Sequence, residues 1–170
     1  MVPMREGTGM TPSQYKVYLW LTAHARQSGL DTYLVADDPD DFGGRGIAGA
    51  CGVSPKTVKD LLRELRDMGA MEKVGTMGKA GGVARMPWRR GWRYVDVDCR
   101  ELLKCFAFGV PFCAAEAYMT LMEPRRGSVP GMTEEKGEDA VRWLVGMGMA
   151  DDVDVTCAGE HVRWLSAHRG

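Results

Sequence analysis

The sequence has no stretch of about 20 uncharged apolar residues, the length a membrane-spanning helix needs. Its longest apolar run, Cys105 to Ala115, falls far short. An apolar signal core is also missing at the N-terminus, so a cytoplasmic protein is expected. Only three histidines are present, His24, His161 and His168, and none stands near another His or Cys at metal-ligand spacing. The five cysteines, Cys51, Cys99, Cys105, Cys113 and Cys157, are odd in number and show no short paired spacing, which fits reduced, mostly buried thiols. The glycines at Gly43, Gly44 and Gly46 lack the Lys-Ser or Lys-Thr ending of a phosphate loop. No Ser, Cys or acid stands beside a base in a recognisable catalytic pattern, so no metal, cofactor or enzymatic activity is expected.

What the 170-residue chain does have is a hydrophobic content of 45%, enough for a folded core, and an uneven distribution of charge. The total is only -1. Yet Ser54 to Arg93 holds ten Lys or Arg against four acids, a local excess of about +6. The compensating acids lie elsewhere, at Asp37, Asp38, Asp40 and Asp41, at Glu134, Glu135, Glu138 and Asp139, and at Asp151, Asp152 and Asp154. A concentrated basic segment is the footprint expected of a nucleic-acid-binding face.

Thr11 followed by Pro12 is a cap and first-turn pair, and it opens a dense apolar run to Ala25 that reads as a buried helix. Ser28 to Phe42 reads as a linker or decorated loop holding a brief strand at Tyr33 to Val35. Gly44 to Cys51 is a short helix. Ser54 to Met68 is the strongest helix in the chain, with Ser54 as cap, Pro55 at its first position and Gly69 to end it. Val58, Leu61, Leu62, Leu65 and Met68 form its inner stripe, and Lys56, Thr57, Lys59, Asp60, Arg63 and Arg66 face outward. Strand-like patterns follow at Met71 to Val74 and Trp88 to Val97, separated by a glycine-rich tip from Gly75 to Pro87. Further helices are expected over Arg100 to Phe108, Cys113 to Met122 and Thr133 to Met147. A strand pair, Val153 to Val155 and His161 to Leu165, closes the chain.

In the stretch GRGIAGACGVSPKTVKDLLREL, Ala48 is the small residue two steeply packed helices require at their contact, and Gly52 suits the turn between them. Here the chain resembles the winged helix-turn-helix DNA-binding proteins of bacteria, their phages and plasmids, over about Thr11 to Asp98. The resemblance implies an α+β fold that is mainly helical with small β-hairpin wings, and a DNA-binding domain over residues 1–98. It also implies that Ser54 to Met68 is a recognition helix lying in the major groove of double-stranded DNA. Lys56, Thr57 and Lys59 would then meet base edges. Ser54, Arg63 and Arg66 would meet phosphates, and Lys79, Arg85, Arg89 and Arg90 of the wing would reach the minor groove or backbone.

Gly52 to Val74 also lies over Gly131 to Val153 at a constant offset of 79 residues, pairing Ser54 with Thr133, Asp60 with Asp139, Arg63 with Arg142, and Gly69 with Gly148. Residues 99–170 are therefore expected to form a second, degenerate winged-helix-like domain. Its helix carries acids where the first carries bases. With the apolar run Phe106 to Phe112 and with Trp143 and Trp164, it fits homodimerisation or a protein partner better than DNA. Three functions share this pattern: a transcriptional regulator, a plasmid or phage replication or partition protein, and an adaptor whose winged helices bind only proteins.

Overall fold

The computed structural model describes residues 1–28, 31–35, 45–77, 81–122, 133–151 and 163–164. They form a mixed α+β structure in two compact units, Val2–Arg93 and Tyr94–Gly170, the latter also taking Met1.

The first unit begins with a short strand, β1 (Val2–Pro3), and then helix α1 (Pro12–His24). Thr11 caps α1 in a full capping box: its hydroxyl accepts from the Gln14 amide, and the Gln14 side chain accepts from the Thr11 amide. Tyr15, Val17, Tyr18, Leu19 and Leu21 are buried, so nearly every side of the helix is covered. It packs on α2 (Arg45–Cys51) and α3 (Pro55–Asp67). Gly52, at φ +66°, makes the turn between α2 and α3, and the Val53 amide returns to the Ala48 carbonyl at 3.1 Å. Ala48 is buried, as are Ile47 and Cys51. On α3, Val58, Leu61, Leu62 and Leu65 are the buried stripe.

The sheet departs from expectation in two ways. Arg26–Ser28 (β2) and Asp31–Val35 (β3) form an antiparallel hairpin where the sequence reads as a loop with at most a brief strand. β3 then pairs with β5 (Gly81–Met86), which also pairs with β4 (Glu72–Met77), giving the order β2-β3-β5-β4. The second strand of the basic hairpin is thus β5, not Trp88 to Val97. Glycines expected in a flexible tip lie in paired strands, with Thr76 opposite Gly82 and Met77 opposite Gly81. The physical reason is that β5 is bonded on both edges, which supplies the ladder energy that glycine's poor strand propensity does not predict. Trp88 to Arg93 cannot extend it, because Pro87 lacks an amide donor and Gly91, at φ +94°, turns the chain.

The second unit holds β6 (Tyr94–Val95), α4 (Cys99–Lys104), α5 (Phe112–Leu121), α6 (Glu134–Gly146) and the antiparallel pair β7 (Ala150–Asp151) with β8 (Arg163–Trp164). The helix expected over Arg100 to Phe108 stops at Lys104. Tight three-residue bonds from Cys105, Phe106 and Ala107 then lead to Gly109 at φ +84°. α5 and α6 pack together, and Ala114, Ala115, Ala117 and Tyr118 of α5 and Ala140, Val141 and Leu144 of α6 are all buried. The expected strand Val153 to Val155 and the residues Asp37, Lys79, Gly131 and Cys157 lie outside the described residues, and Trp164 is described in its backbone alone. No described helix is long and apolar enough to cross a membrane.

Burial fixes the chemistry of the thiols. It pushes the Cys51 thiol up to about 11 and that of Cys105 up to about 12, and desolvation also raises Cys99 and Cys113. A folded value above the unfolded one, about 8.5, favours the folded state at every pH where the thiol stays protonated. That contribution is lost as pH rises from the unfolded value through the folded one. The denaturant midpoint is therefore expected to fall between about pH 9 and 11 by more in the parent than in Cys51→Ala. Equal falls in the two proteins would refute this.

Candidate nucleic-acid interface

Helix α3 carries four of the cations of the basic segment. The Ser54 hydroxyl accepts from the Thr57 amide at 3.1 Å and lies 2.8 Å from the Thr57 hydroxyl, so both cap side chains are held in place. Opposite the buried stripe, Lys56, Lys59, Arg63 and Arg66 recur at spacings of three, four and three, all exposed, with Thr57 beside them. Arg63 donates to Asp60 at 3.0 Å, an exposed pair that costs little to break. Among the described residues, Lys56, Lys59 and Arg66 make no ion pair. Glu64 on the helix flank accepts from Gln14 of α1 at 2.8 Å, which draws that carboxylate toward α1. Gln14 has no signature in the sequence beyond its place in the capping box.

The hairpin cations divide differently. Arg85 sits in β5 directly opposite Glu72 of β4 and is half-buried in an ion pair with it. It belongs to the sheet, not to a free tip. Arg89 donates to the Gly69 carbonyl at 2.8 Å, and its guanidinium lies over the Trp92 ring, 5.6 Å from the centroid. Trp92 in turn meets Tyr18 of α1 edge-on at 6.1 Å. Arg89 thus anchors the segment after β5 to the end of α3, and a Cβ at Gly69 would lie 2.6 Å from its Nη1. Arg90 is exposed and makes no ion pair among the described residues. Lys79 lies outside them. Of the ten residues expected to touch DNA, six therefore share one helix, Arg90 stands apart and exposed, and two are drawn into internal contacts.

The 79-residue repeat has a structural counterpart. Thr133 caps α6 by accepting from the Lys136 amide at 3.3 Å, as Ser54 caps α3. Asp139 and Arg142 repeat the Asp60 and Arg63 pair at 3.3 Å. Both helices end identically: Gly69 and Gly148 have φ of +73° and +69°, and the Ala70 and Met149 amides each reach back five residues, to Leu65 and Leu144, at 2.9 Å. The outward positions are not repeated. Lys56 and Lys59 are matched by Glu135 and Glu138, Arg66 by Val145, and Glu64 by Trp143, which is 41% exposed. One local framework thus carries a basic face in the first unit and an acidic, partly apolar one in the second.

No protein-family model, characterised protein or solved structure matches the chain. Its class is that of a mixed α+β chain of two compact units, with a basic helix face in the first.

Proposed function

We propose that the first unit is a winged helix-turn-helix that binds double-stranded DNA in a sequence-specific way, with α3 in the major groove, and that the protein acts as a transcriptional regulator. The observation that carries this reading is the stripe Lys56, Lys59, Arg63 and Arg66 on a helix whose opposite side is fully buried. A helix fits the major groove, and its N-terminal residues approach base edges most closely, which gives Lys56, Thr57 and Lys59 the reading role and Arg63 and Arg66 the phosphates. The α2-α3 turn at Gly52 and the β4-β5 hairpin that follows support the same assignment. Sequencing the genomic fragments retained by the purified protein tests it. A shared motif upstream of genes is the expected result, enrichment of repeated sites at a replication origin would favour a replication or partition role, and fragments without any shared motif would exclude specific reading.

The second unit is assigned to pairing with another copy or to a protein partner. Glu135 and Glu138 would be repelled by phosphates at the positions where α3 has lysines, while Trp143 and the fully exposed Phe108 offer apolar surface. A homodimer is the preferred form, because two α3 helices would then read two half-sites about one helical turn apart. Sedimentation of the parent and of Trp143→Ala is expected to show a dimer weakened by the substitution. A dimer of unchanged affinity would remove Trp143 from the interface.

A further inference from the structure

Helices α3 and α6 share a length of 13 residues, a hydroxyl cap and a glycine end. A side chain of α3 and its counterpart 79 residues later therefore leave their helices at the same height and angle. Charge is reversed at two such positions and kept at two others. Lys56 and Lys59 become Glu135 and Glu138, while Asp60 and Arg63 recur as Asp139 and Arg142. On each helix the four positions follow the i, i+3, i+4, i+7 spacing of a single face, and none of the eight residues is buried. Lys56, Lys59 and Glu135 make no ion pair among the described residues. Asp60 with Arg63, and Arg142 with Glu138 and Asp139, pair only within their own helices and in solvent, where such pairs cost little to rearrange.

We propose that the acidic face of α6 in one copy docks on the basic face of α3 in a second copy, and that DNA must displace it. The docking needs only the two faces, whereas the displacement rests on the duplex-binding reading of α3. A second copy is the occupant indicated because its α3 presents cations at the spacing of these carboxylates, on the same helical frame. With the helices side by side and running the same way, Lys56 meets Glu135 and Lys59 meets Glu138. The Asp60–Arg63 and Asp139–Arg142 pairs then exchange partners across the contact instead of being lost. Each copy carries both faces, so a reciprocal contact closes a dimer of two-fold symmetry. Carboxylates held against Lys56 and Lys59 stand where DNA phosphates would, so the contact and the duplex exclude each other.

The test is sedimentation of the full chain without DNA at about 50 and about 500 mM salt, a range over which screening becomes strong. One exposed ion pair is worth a factor of about 1.4 to 5, so the four new pairs of a reciprocal dimer should tighten association about 4- to 600-fold at the lower salt. Lys56→Glu/Lys59→Glu and Glu135→Lys/Glu138→Lys are each expected to lose this salt-sensitive part, as is Glu135→Gln/Glu138→Gln, which keeps the shape of both side chains. An equimolar mixture of the two charge-reversed proteins, or one chain with all four reversals, is expected to regain it, because opposite charges face each other again. Apolar pairing through the second unit is common to all of these proteins and leaves the comparison unaffected. Salt-sensitive association that survives in any of the three variants, or that does not return on full reversal, would overturn the contact. On a duplex from the enriched fragments, Glu135→Gln/Glu138→Gln is expected to bind more tightly than the parent, by a factor that grows with protein concentration. A factor independent of concentration would overturn the displacement. Association as expected, with the duplex bound by neither protein, would instead overturn the reading of α3.

Discussion

The double substitution Lys56→Glu/Lys59→Glu is expected to abolish measurable sequence-specific binding while leaving the fold unchanged. Both side chains are exposed, neither makes an ion pair among the described residues, and both precede the middle of α3, where a helix end meets base edges. Loss of a base or phosphate contact costs roughly 1–3 kcal/mol per side chain. Removing two lowers affinity at least about 30-fold by that figure, and the added glutamates repel phosphates besides. The change also gives α3 the charges that α6 already carries at Glu135 and Glu138. An affinity within threefold of the parent, with an unchanged unfolding midpoint, would show that the groove-facing side of α3 has been misassigned.

The second large effect is on stability. Leu65 is completely buried, in the α3 stripe that also contains Val58, Leu61 and Leu62. Leu65→Ala is expected to lower unfolding free energy by about 2–5 kcal/mol, since the removed methyls leave a cavity that rigid neighbours fill only in part. Leu144, its counterpart 79 residues later, is equally buried in α6, and Leu144→Ala is expected to cost a similar amount. Urea unfolding followed by circular dichroism measures both. A loss below about 1 kcal/mol at either position would contradict the packing described, because that is the range of surface substitutions and not of core cavities.

Why some of this was legible in the sequence, and some was not, follows from the range of the forces involved. The helices with their caps were readable because the cause is local: Thr11 and Gln14, Ser54 and Thr57, and Thr133 and Lys136 act over three residues, and Gly52 and Gly69 take the positive φ that glycine tolerates. The burial of Cys51 and the stripe on α3 follow from a 3.6-residue period. The position of the hairpin is not legible in the sequence because strand pairing is nonlocal. β5 gains its order from β3, some fifty residues earlier, and nothing within Gly81 to Met86 announces that partner. Charge composition likewise does not reveal that Glu72 stands opposite Arg85 and the Gly69 carbonyl beside Arg89. The acidic helix of the second unit was readable as a repeat of the first because its cap, ion pair and terminal glycine all fall at one offset.

The most direct test of the central claim is a salt titration of the parent protein on a duplex drawn from its enriched genomic fragments. If Arg63, Arg66 and Arg90 each neutralise a phosphate, log affinity should fall against log salt with a slope of about -3, at roughly 0.9 per phosphate. The slope should shrink by about one in Arg66→Ala. No binding at low salt, or a slope near zero, would contradict a DNA-binding role for the first unit.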